Sequence, residues 1–236
     1  MSAEDQKKNA GEAALKVVTN GVKIGLGTGT TANYFIKAAA KKVKDEGLNT
    51  IFVPTSAASQ KLAEASGIVT QSLEEHPFLD FTVDGADEID PQFRMIKGGG
   101  GALHREKIVA SSSRFVVCIC DSSKMVQTLG KFPLPVEVSR FGVNATAWKI
   151  ERVLSQLGYA HAKMRLRPIN ATEQKPFVTE LGNAILDIQL DAITDPERLE
   201  NSLNILPGVI EVGLFNGICG VVMLGTDKGV EEITRP

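Results

Sequence analysis

The chain has 236 residues, which is enough for one large domain or two modest ones with a real hydrophobic core. Hydrophobic residues make up 43% of the sequence and charged residues 23%, proportions typical of a soluble globular protein. The net charge is −2, Lys and Arg are spread along the chain, and no apolar run approaches the roughly 20 residues of a membrane span. We therefore expect neither a nucleic acid nor a membrane as a partner.

The N-terminal segment and the cysteines indicate a cytoplasmic location. Residues 1–9 are polar and charged, unlike a secretory signal. Cys118, Cys120 and Cys219 lie in apolar, strand-like runs, and an odd number of cysteines at such positions favours reduced thiols. Cys118 and Cys120 are closely spaced, but the sequence has no second such pair of cysteines to complete a set of zinc ligands. Because the three histidines are also widely separated, we expect no zinc site.

Helices and short apolar strands alternate along the first half of the chain. The predicted elements are a helix at 4–19, a strand at 22–27, a helix to about 46, a strand at 51–53, a helix at 56–65, and strands at 80–84 and 115–120. Apolar strands that alternate with helices indicate a parallel sheet covered on both faces.

The pattern changes after residues 132–135. The next predicted elements are a strand at 136–138, a helix at 144–157, strands at 162–166 and 184–190, a helix at 196–206 and a strand at 209–214. This β-α-β-β-α-β order is the split βαβ arrangement, and we expect the last apolar run, 219–224, to return to the first sheet.

The predicted fold class is therefore α/β, with two domains. Residues 1–131 and 215–236 are predicted to form a Rossmann-like, doubly wound, mainly parallel sheet with its helices. Residues 132–214 are predicted to form a second, smaller ferredoxin-like α/β domain.

A turn rich in glycine and threonine joins the first predicted strand to its helix. Residues 25–32 formally satisfy a dinucleotide-binding pattern, but the next strand is not followed by the acidic residue that would bind a ribose. The hydroxyls of Thr28, Thr30 and Thr31, beside the N–H groups at a helix N-terminus, instead suit a phosphate monoester. The structural alternative is a tight turn with a threonine N-cap.

Four carboxylates occur within seven residues at the end of the strand predicted at 80–84. They belong to Asp84, Asp87, Glu88 and Asp90. Open α/β sheets place their ligands at this end of a strand, so Asp84 or Asp87 could hold a sugar hydroxyl or move a proton between oxygens. A solvent-exposed acidic turn is the structural alternative, and the absence of a nearby histidine disfavours a divalent metal.

Four consecutive glycines, residues 98–101, follow Lys97. Ordering glycine is entropically costly, so the run indicates that something approaches the backbone closely, and bare N–H groups there suit an anion or a developing oxyanion. In the helix predicted to follow, Glu106 lies on the same face as Leu103 and Ala110. Position in the sequence alone favours a solvated Glu106 over a base in a dry pocket. The structural alternatives are a flexible loop for the four glycines and a surface position for Lys97.

A last polar segment, Asp121 to Lys124, follows the apolar strand at 115–120. Its lysine could meet a phosphate as a point charge. The alternative is a helix cap with a solvated lysine.

Together these segments resemble ribose-5-phosphate isomerase of type A, and the resemblance runs over essentially the whole chain. The matching motifs are Gly-Thr-Gly-Thr-Thr at 27–31, Asp-Gly-Ala-Asp-Glu at 84–88, Lys-Gly-Gly-Gly-Gly-Ala at 97–102 with Glu106, and Asp-Ser-Ser-Lys at 121–124. Thr30 stands where the family's first motif usually has serine, which keeps the hydroxyl and adds a methyl group.

The resemblance implies reversible conversion of ribose 5-phosphate to ribulose 5-phosphate through an enediolate, in the non-oxidative pentose phosphate pathway. It implies no cofactor, no metal, and assembly as a homodimer or homotetramer.

The family's site residues carry over position by position. Glu106 matches the base, and Lys97 with the N–H groups of Gly98, Gly99 and Gly100 matches the oxyanion site. Asp84 and Asp87 match the residues that bind the sugar and assist ring opening or proton transfer. The remaining substrate-binding positions, several of them for phosphate, correspond to Thr28, Gly29, Thr30, Thr31, Gly85, Ala86 and Lys124.

Two other hypotheses remain at this stage. One is a relative on a similar scaffold, such as an amino-sugar phosphate isomerase or a coenzyme A transferase, which the Lys97–Gly101 run with Glu106 disfavours. The other is a sugar-phosphate sensor of a transcription regulator, which would need a DNA-binding module, and the first strand begins too early to leave room for one.

Overall fold

A computed structural model describes residues 1–170, 172–173 and 175–235. The described residues form six α-helices and thirteen strands. The helices are α1 (Ala3–Ala13), α2 (Thr30–Glu46), α3 (Ala57–Ala65), α4 (Leu103–Ser111), α5 (Val143–Gln156) and α6 (Pro196–Asn204). The strands are β1 (Lys23–Leu26), β2 (Ile51–Pro54), β3 (Leu79–Asp84), β4 (Glu88–Ile89), β5 (Met95–Ile96), β6 (Ser113–Asp121), β7 (Leu134–Val138), β8 (Lys163–Leu166), β9 (Ala184–Gln189), β10 (Val209–Val212), β11 (Leu214–Phe215), β12 (Cys219–Thr226) and β13 (Gly229–Thr234).

The chain divides into two compact units. The first comprises Met1–Ala86, Arg105–Met125 and the chain from Gly217 onward, and the second comprises Asp87–His104 and Val126–Asn216. The predicted domain ranges, 1–131 with 215–236 and 132–214, remain a prediction. The compact units differ from those ranges mainly in residues 87–104, because β5 pairs with β11 and β4 in a small sheet of the second unit.

The first unit is built on a six-stranded sheet with the order β13-β12-β6-β3-β1-β2. Every pairing is parallel except that of β12 with β13. The predicted mainly parallel sheet is confirmed, and the run at 219–224 does return to it as β12, beside β6. The edge strand β13 was not predicted, because its sequence, Gly-Val-Glu-Glu-Ile-Thr, is largely polar.

Helices cover both faces of this sheet because successive strand residues point to opposite sides. Ile24 and Leu26 of β1 join the core beneath α1 and α2, whereas Gly25 between them contacts Val109 of α4 on the other face. Helix α2 buries Ala32, Phe35, Ile36, Ala39 and Ala40, the spacing of one helical face, and ends at Gly47 in the left-handed conformation. The helix predicted at 4–19 is shorter than expected, since the α-helix ends at Ala13 and a 3₁₀ turn continues to Val17.

The second unit contains a four-stranded antiparallel sheet with the order β10-β7-β9-β8. The helices α5 and α6 connect its strands in the β-α-β-β-α-β order. This topology is the split βαβ arrangement, so the ferredoxin-like prediction for the smaller α/β part is confirmed. The two-residue strands β4, β5 and β11 were not predicted, because such short elements leave no periodic signal.

The three cysteines form no disulfide with one another and are buried in β6 and β12. A hydrogen bond with Cys118, together with burial, raises the pKa of the Cys219 thiol well above its ordinary value. A buried thiol with a raised pKa is a poor nucleophile and a packing residue. Among the described residues, no helix is both long and apolar enough to cross a bilayer.

Candidate active site

The carboxyl edge of the parallel sheet in the first unit carries three of the predicted site segments. Strands β1 and β6 both pair with β3, so the segments that follow β1 and β6 lie on either side of the end of β3, each about 5 Å away. These segments are residues 28–31 after β1, Asp84 at the end of β3, and Asp121–Lys124 after β6. The structure therefore brings together residues that are up to 96 positions apart in the sequence, from Thr28 to Lys124.

The Asp84 carboxylate is buried and held against the loop that follows β1. One of its oxygens accepts the backbone N–H of Thr28 at 3.1 Å and that of Gly85 at 2.7 Å. A Cβ atom at Gly27 would lie 2.2 Å from the same oxygen, so only glycine permits this approach. Asp84 therefore has a fixed position at the sheet edge.

The N-terminus of α2, at Gly29 and the residues around it, has the backbone geometry of an anion-binding site. Gly29 is the N-cap, with φ of 119°, and among the described residues no side chain caps this end. The first-turn N–H groups therefore point out at a place where Gly29 and Thr30 are exposed and Thr31 is half-buried. The threonine N-cap that was the structural alternative is wrong.

Two hydroxyl residues beside this loop were missed by sequence reasoning. The Thr28 hydroxyl lies 2.7 Å from that of Thr55 and donates to that of Ser56 at 2.8 Å. Ser56 also caps α3 by accepting the Ser59 N–H, and the Thr55 hydroxyl donates to the Leu26 carbonyl. The signal was available, because a Thr-Ser pair directly after a strand adjacent to β1 must lie at the same sheet edge.

Part of the segment after β6 has a structural role, in agreement with the alternative interpretation of this segment as a helix cap. Asp121 caps a 3₁₀ turn by accepting the Ser123 N–H at 3.0 Å, and Lys124, half-buried, ends the turn. The Gln6 side chain of α1 secures this turn, because it accepts the Ser122 N–H at 3.1 Å and the Ser122 hydroxyl at 2.9 Å.

Glu106 is buried in the first turn of α4, with only 4% of its surface exposed. Val109, one turn later, packs on β1: a Cβ atom at Gly25 would lie 2.7 Å from its side chain. Because α4 leads directly into the start of β6, it runs antiparallel to the strands, and Glu106 lies one turn nearer the carboxyl edge than Val109. The solvated interpretation of Glu106 is therefore wrong.

In the second unit, Asp87 is linked to the segment Gly98–Gly101, here called the glycine loop. The Asp87 carboxylate accepts the Gly99 N–H at 2.8 Å, and its own N–H donates to the Ile96 carbonyl at 2.9 Å. A Cβ atom at Gly99 would lie 2.7 Å from the Asp87 carboxylate, so this contact also requires glycine.

The residues from Asp84 to Asp90 are here called the acidic segment, and its two remaining carboxylates have structural roles. Glu88 accepts the N–H groups of Gly130 and Phe132 at 2.7 and 2.6 Å. Asp90 accepts the Arg94 guanidinium at 2.6 Å. Because Glu88 and Asp90 are buried with donors of their own, the solvent-exposed acidic turn is wrong for them.

Lys97 is buried at the end of β5, with 3% of its surface exposed. Its N–H donates to the Gly213 carbonyl at 2.9 Å, and its ammonium group lies 5.5 Å from the centre of the Phe215 ring, within range of a cation–π interaction. The surface interpretation of Lys97 is therefore wrong.

The glycine loop has a defined conformation. Gly98 and Gly101 have φ of 107° and 84°, values that residues with side chains rarely adopt. A Cβ atom at Gly101 would lie 2.5 Å from the Phe177 ring, and the Arg167 guanidinium donates to the Gly98 carbonyl at 2.8 Å. Sequence reasoning missed Phe177 and Arg167, because neither has a local signal that links it to a loop about 70 residues earlier.

No group of three or more His, Cys, Asp or Glu side chains in the described part of the chain is arranged to hold a metal ion. The carboxylates of the acidic segment are instead directed at N–H donors.

Comparisons with known proteins agree with one another. A family profile described as ribose 5-phosphate isomerase A (phosphoriboisomerase A) matches residues 51–229. Ribose-5-phosphate isomerase A of Parvibaculum lavamentivorans is 50% identical over 233 residues, which cover 99% of each chain, and that of Rhodopseudomonas palustris is 47% identical over 100% of each.

Solved structures superpose over the full chain. A D-ribose-5-phosphate isomerase in complex with phospho-erythronic acid has a TM-score of 0.90 at 38% identity and covers 100% of both chains. Ribose 5-phosphate isomerase A of Neisseria gonorrhoeae has a TM-score of 0.87 at 37% identity, with 100% of this chain and 98% of that one covered.

Proposed function

The chain belongs to the ribose 5-phosphate isomerase A family, and we infer that it is an aldose–ketose isomerase that interconverts D-ribose 5-phosphate and D-ribulose 5-phosphate. This reaction places it in the non-oxidative pentose phosphate pathway. The observation that carries the residue assignment is the burial of Glu106, a carboxylate held at the start of α4 near the sheet edge that carries Asp84.

In the mechanism that we propose, Glu106 is the base. A C–H bond beside a carbonyl is a weak acid, and Glu106 takes the proton from carbon 2 of the open-chain aldose and returns it to carbon 1. The hydroxyl proton on oxygen 2 moves to oxygen 1 in the same conversion, so atoms and charge balance. A positioned general base contributes about 10²- to 10⁴-fold to the rate.

Stabilisation of the enediolate oxygen is assigned to Lys97 and the glycine loop. The Gly99 and Gly101 N–H groups already donate to Asp87 and to the Gly98 carbonyl, so the donors assigned to this oxygen are the buried Lys97 ammonium group and the N–H groups of Gly98 and Gly100. Removal of one such donor typically costs about 10²- to 10³-fold in kcat. Asp84 and Asp87, both held by backbone N–H donors, bind the sugar hydroxyls and assist ring opening or transfer between oxygens.

The substrate phosphate is assigned to the N-terminus of α2 and to Lys124. The N–H groups around Gly29 to Thr31 and the threonine hydroxyls offer donors, and the helix dipole favours the negative charge. Lys124 follows β6 at the same edge of the sheet and adds a point charge. The phosphate supplies binding energy from a part of the substrate that does not react.

Three further properties belong to this proposal. The enzyme needs no cofactor or metal, it works in the cytoplasm, and it assembles as a homodimer or homotetramer. Three buried cysteines that form no disulfide support the location.

The test is direct conversion of ribose 5-phosphate by the purified protein in excess chelator, with ribulose 5-phosphate measured as product. We expect rapid conversion, and in Glu106→Gln we expect kcat to fall at least about 10²-fold because the amide cannot accept the carbon-bound proton. The matched control is Glu46→Gln at the exposed end of α2, which should behave as wild type.

The outcomes separate the parts of the proposal. No product from folded wild-type protein without chelator would contradict the isomerase assignment. Loss of activity only when chelator is added would restore a metal to the mechanism, and near-normal turnover by Glu106→Gln would remove this residue from it.

A further inference from the structure

The side chain of Arg167, just beyond β8 in the second unit, joins the glycine loop to a buried aspartate. Its Nε donates to Asp187 Oδ2 at 3.0 Å and its Nη2 donates to Asp187 Oδ1. Its Nη1 donates to the carbonyl oxygens of Gly98 at 2.8 Å and Gly99 at 3.2 Å. The guanidinium fork thus uses one side for a carboxylate on β9 and the other for two successive peptide groups.

We propose that Arg167, anchored by Asp187, is a positioning residue that sets the peptide orientation of the glycine loop for stabilisation of the enediolate. The proposal rests on the oxyanion role given to this loop under the proposed function.

The orientation follows from the planarity of the peptide bond. In a trans peptide the carbonyl of one residue and the N–H of the next point in opposite directions. Since the Gly98 carbonyl points at Arg167, the Gly99 N–H points away from it and reaches the Asp87 carboxylate at 2.8 Å. Since the Gly99 carbonyl also points at Arg167, the Gly100 N–H is directed away from Arg167 as well.

The loop needs such a constraint because glycine backbones have the widest conformational freedom. The Gly98 carbonyl accepts both Arg167 and the Gly101 N–H, at 2.8 and 3.0 Å, which ties both ends of the loop to one oxygen. Donors that stabilise an oxyanion act only when they are oriented before the charge develops, and a displacement of about 1 Å can cost around 10²-fold in rate.

The anchor itself is well suited to this task. The Arg167 and Asp187 side chains are 12% and 8% exposed, so the pair is largely shielded from water. Asp187 lies on β9, between β7 and β8, and therefore has a fixed position. A lysine at position 167 could keep the charge next to Asp187, but a single ammonium group cannot also span the two carbonyls.

The experiment compares Arg167→Lys with Arg94→Lys. Arg94 also pairs with a buried aspartate in the same unit, through Nε and Nη2 to Oδ2 of Asp90, and among the described residues it has no counterpart of the Arg167 bonds to the glycine loop. It therefore controls for the structural cost of weakening a guanidinium–carboxylate pair. We expect Arg167→Lys to lower kcat at least about 10-fold with KM for ribose 5-phosphate changed less than about 2-fold. The inhibition constant of phospho-erythronic acid should rise in parallel with the loss of kcat/KM, while that of inorganic phosphate stays unchanged.

Equal kcat values for Arg167→Lys and Arg94→Lys, at equal melting temperatures, would overturn the proposal. Should Arg167→Lys fail to fold, Asp187→Asn weakens the anchor more gently. In that variant we expect amide hydrogen exchange at Gly99 and Gly101, whose N–H groups donate to Asp87 and to the Gly98 carbonyl, to accelerate at least about 10-fold over wild type, and unchanged exchange there would overturn the proposal. Exchange does not depend on turnover, so an inactive wild-type protein would contradict the proposed function and leave this readout intact.

Discussion

At the scale of single residues, burial alone does not separate the charges that we propose to be catalytic from the structural ones. Glu106 and Lys97 are 4% and 3% exposed, and an ionisable side chain is expensive to bury, so its presence in such a place is typical of a functional site. Glu88 and Asp90 are equally buried, but Glu88 binds the N–H groups of a neighbouring loop and Asp90 binds Arg94. Under the proposed function, the buried charges between residues 88 and 106 therefore serve two different purposes.

The phosphate assignment of Lys124 makes a prediction at this scale. We expect Lys124→Ala to raise KM for ribose 5-phosphate at least about 10-fold, because a charge-assisted bond to phosphate contributes about 1.5–3 kcal/mol, with little change in melting temperature. The control is Lys44→Ala, an exposed lysine fourteen residues along α2 from Thr30, and thus roughly 21 Å from the helix N-terminus. Unchanged affinity for phosphorylated ligands in Lys124→Ala would refute the assignment.

At the scale of elements, the site depends on how α1 docks on the parallel sheet. Gln6 of α1 accepts two bonds from Ser122, in the turn that ends at Lys124, and donates to Asp227 at 2.9 Å. Gly225 of β12 lets the α1 backbone approach, since a Cβ atom there would lie 2.1 Å from the Gln6 carbonyl oxygen. The helix predicted from periodicity alone thus supports a segment more than 100 residues away.

This docking can be tested with Gly225→Ala. The added methyl group meets backbone, which cannot rotate aside, so we expect a loss of about 1–3 kcal/mol in the free energy of unfolding, measured by urea denaturation. Gly100→Ala is the control, because a methyl group at Gly100 would meet no atom of the rest of the described chain within 4 Å. Equal losses in the two variants would contradict the account of α1 docking.

At the scale of the whole molecule, the chain builds two units from interleaved segments. It passes from one unit to the other after residues 86, 104, 125 and 216. The acidic segment is divided by the first of these points, with Asp84 in the first unit and Asp87 in the second, and the second point lies between Lys97 and Glu106. Short motifs that are continuous in sequence therefore contribute residues to both units.

The proposed assembly gives a prediction at this scale. We expect sedimentation equilibrium to return two or four times the 25.3 kDa of the chain. A monomer at micromolar concentration would refute the oligomer proposal.

The sequence by itself determined the element pattern, the α/β class and the candidate residues. Apolar periodicity and glycine placement act over a few residues, so helices such as α2 and strands such as β1 and β6 were predicted nearly to their ends. The motifs around Thr28, Asp84, Lys97 and Glu106 are also local, and their order sufficed for the family resemblance.

Only the tertiary structure decided burial and long-range contact. Whether Glu106 is solvated or dry depends on the packing of α4 over Gly25, and position in the sequence alone favoured the wrong answer. The Arg167 guanidinium donates a hydrogen bond to Gly98 of the glycine loop, 69 positions earlier in the sequence. Ser56 accepts a hydrogen bond from Thr28 because β1 pairs with β2. Such contacts form when the strands assemble into a sheet and distant segments pack together, and no local pattern of residues encodes them.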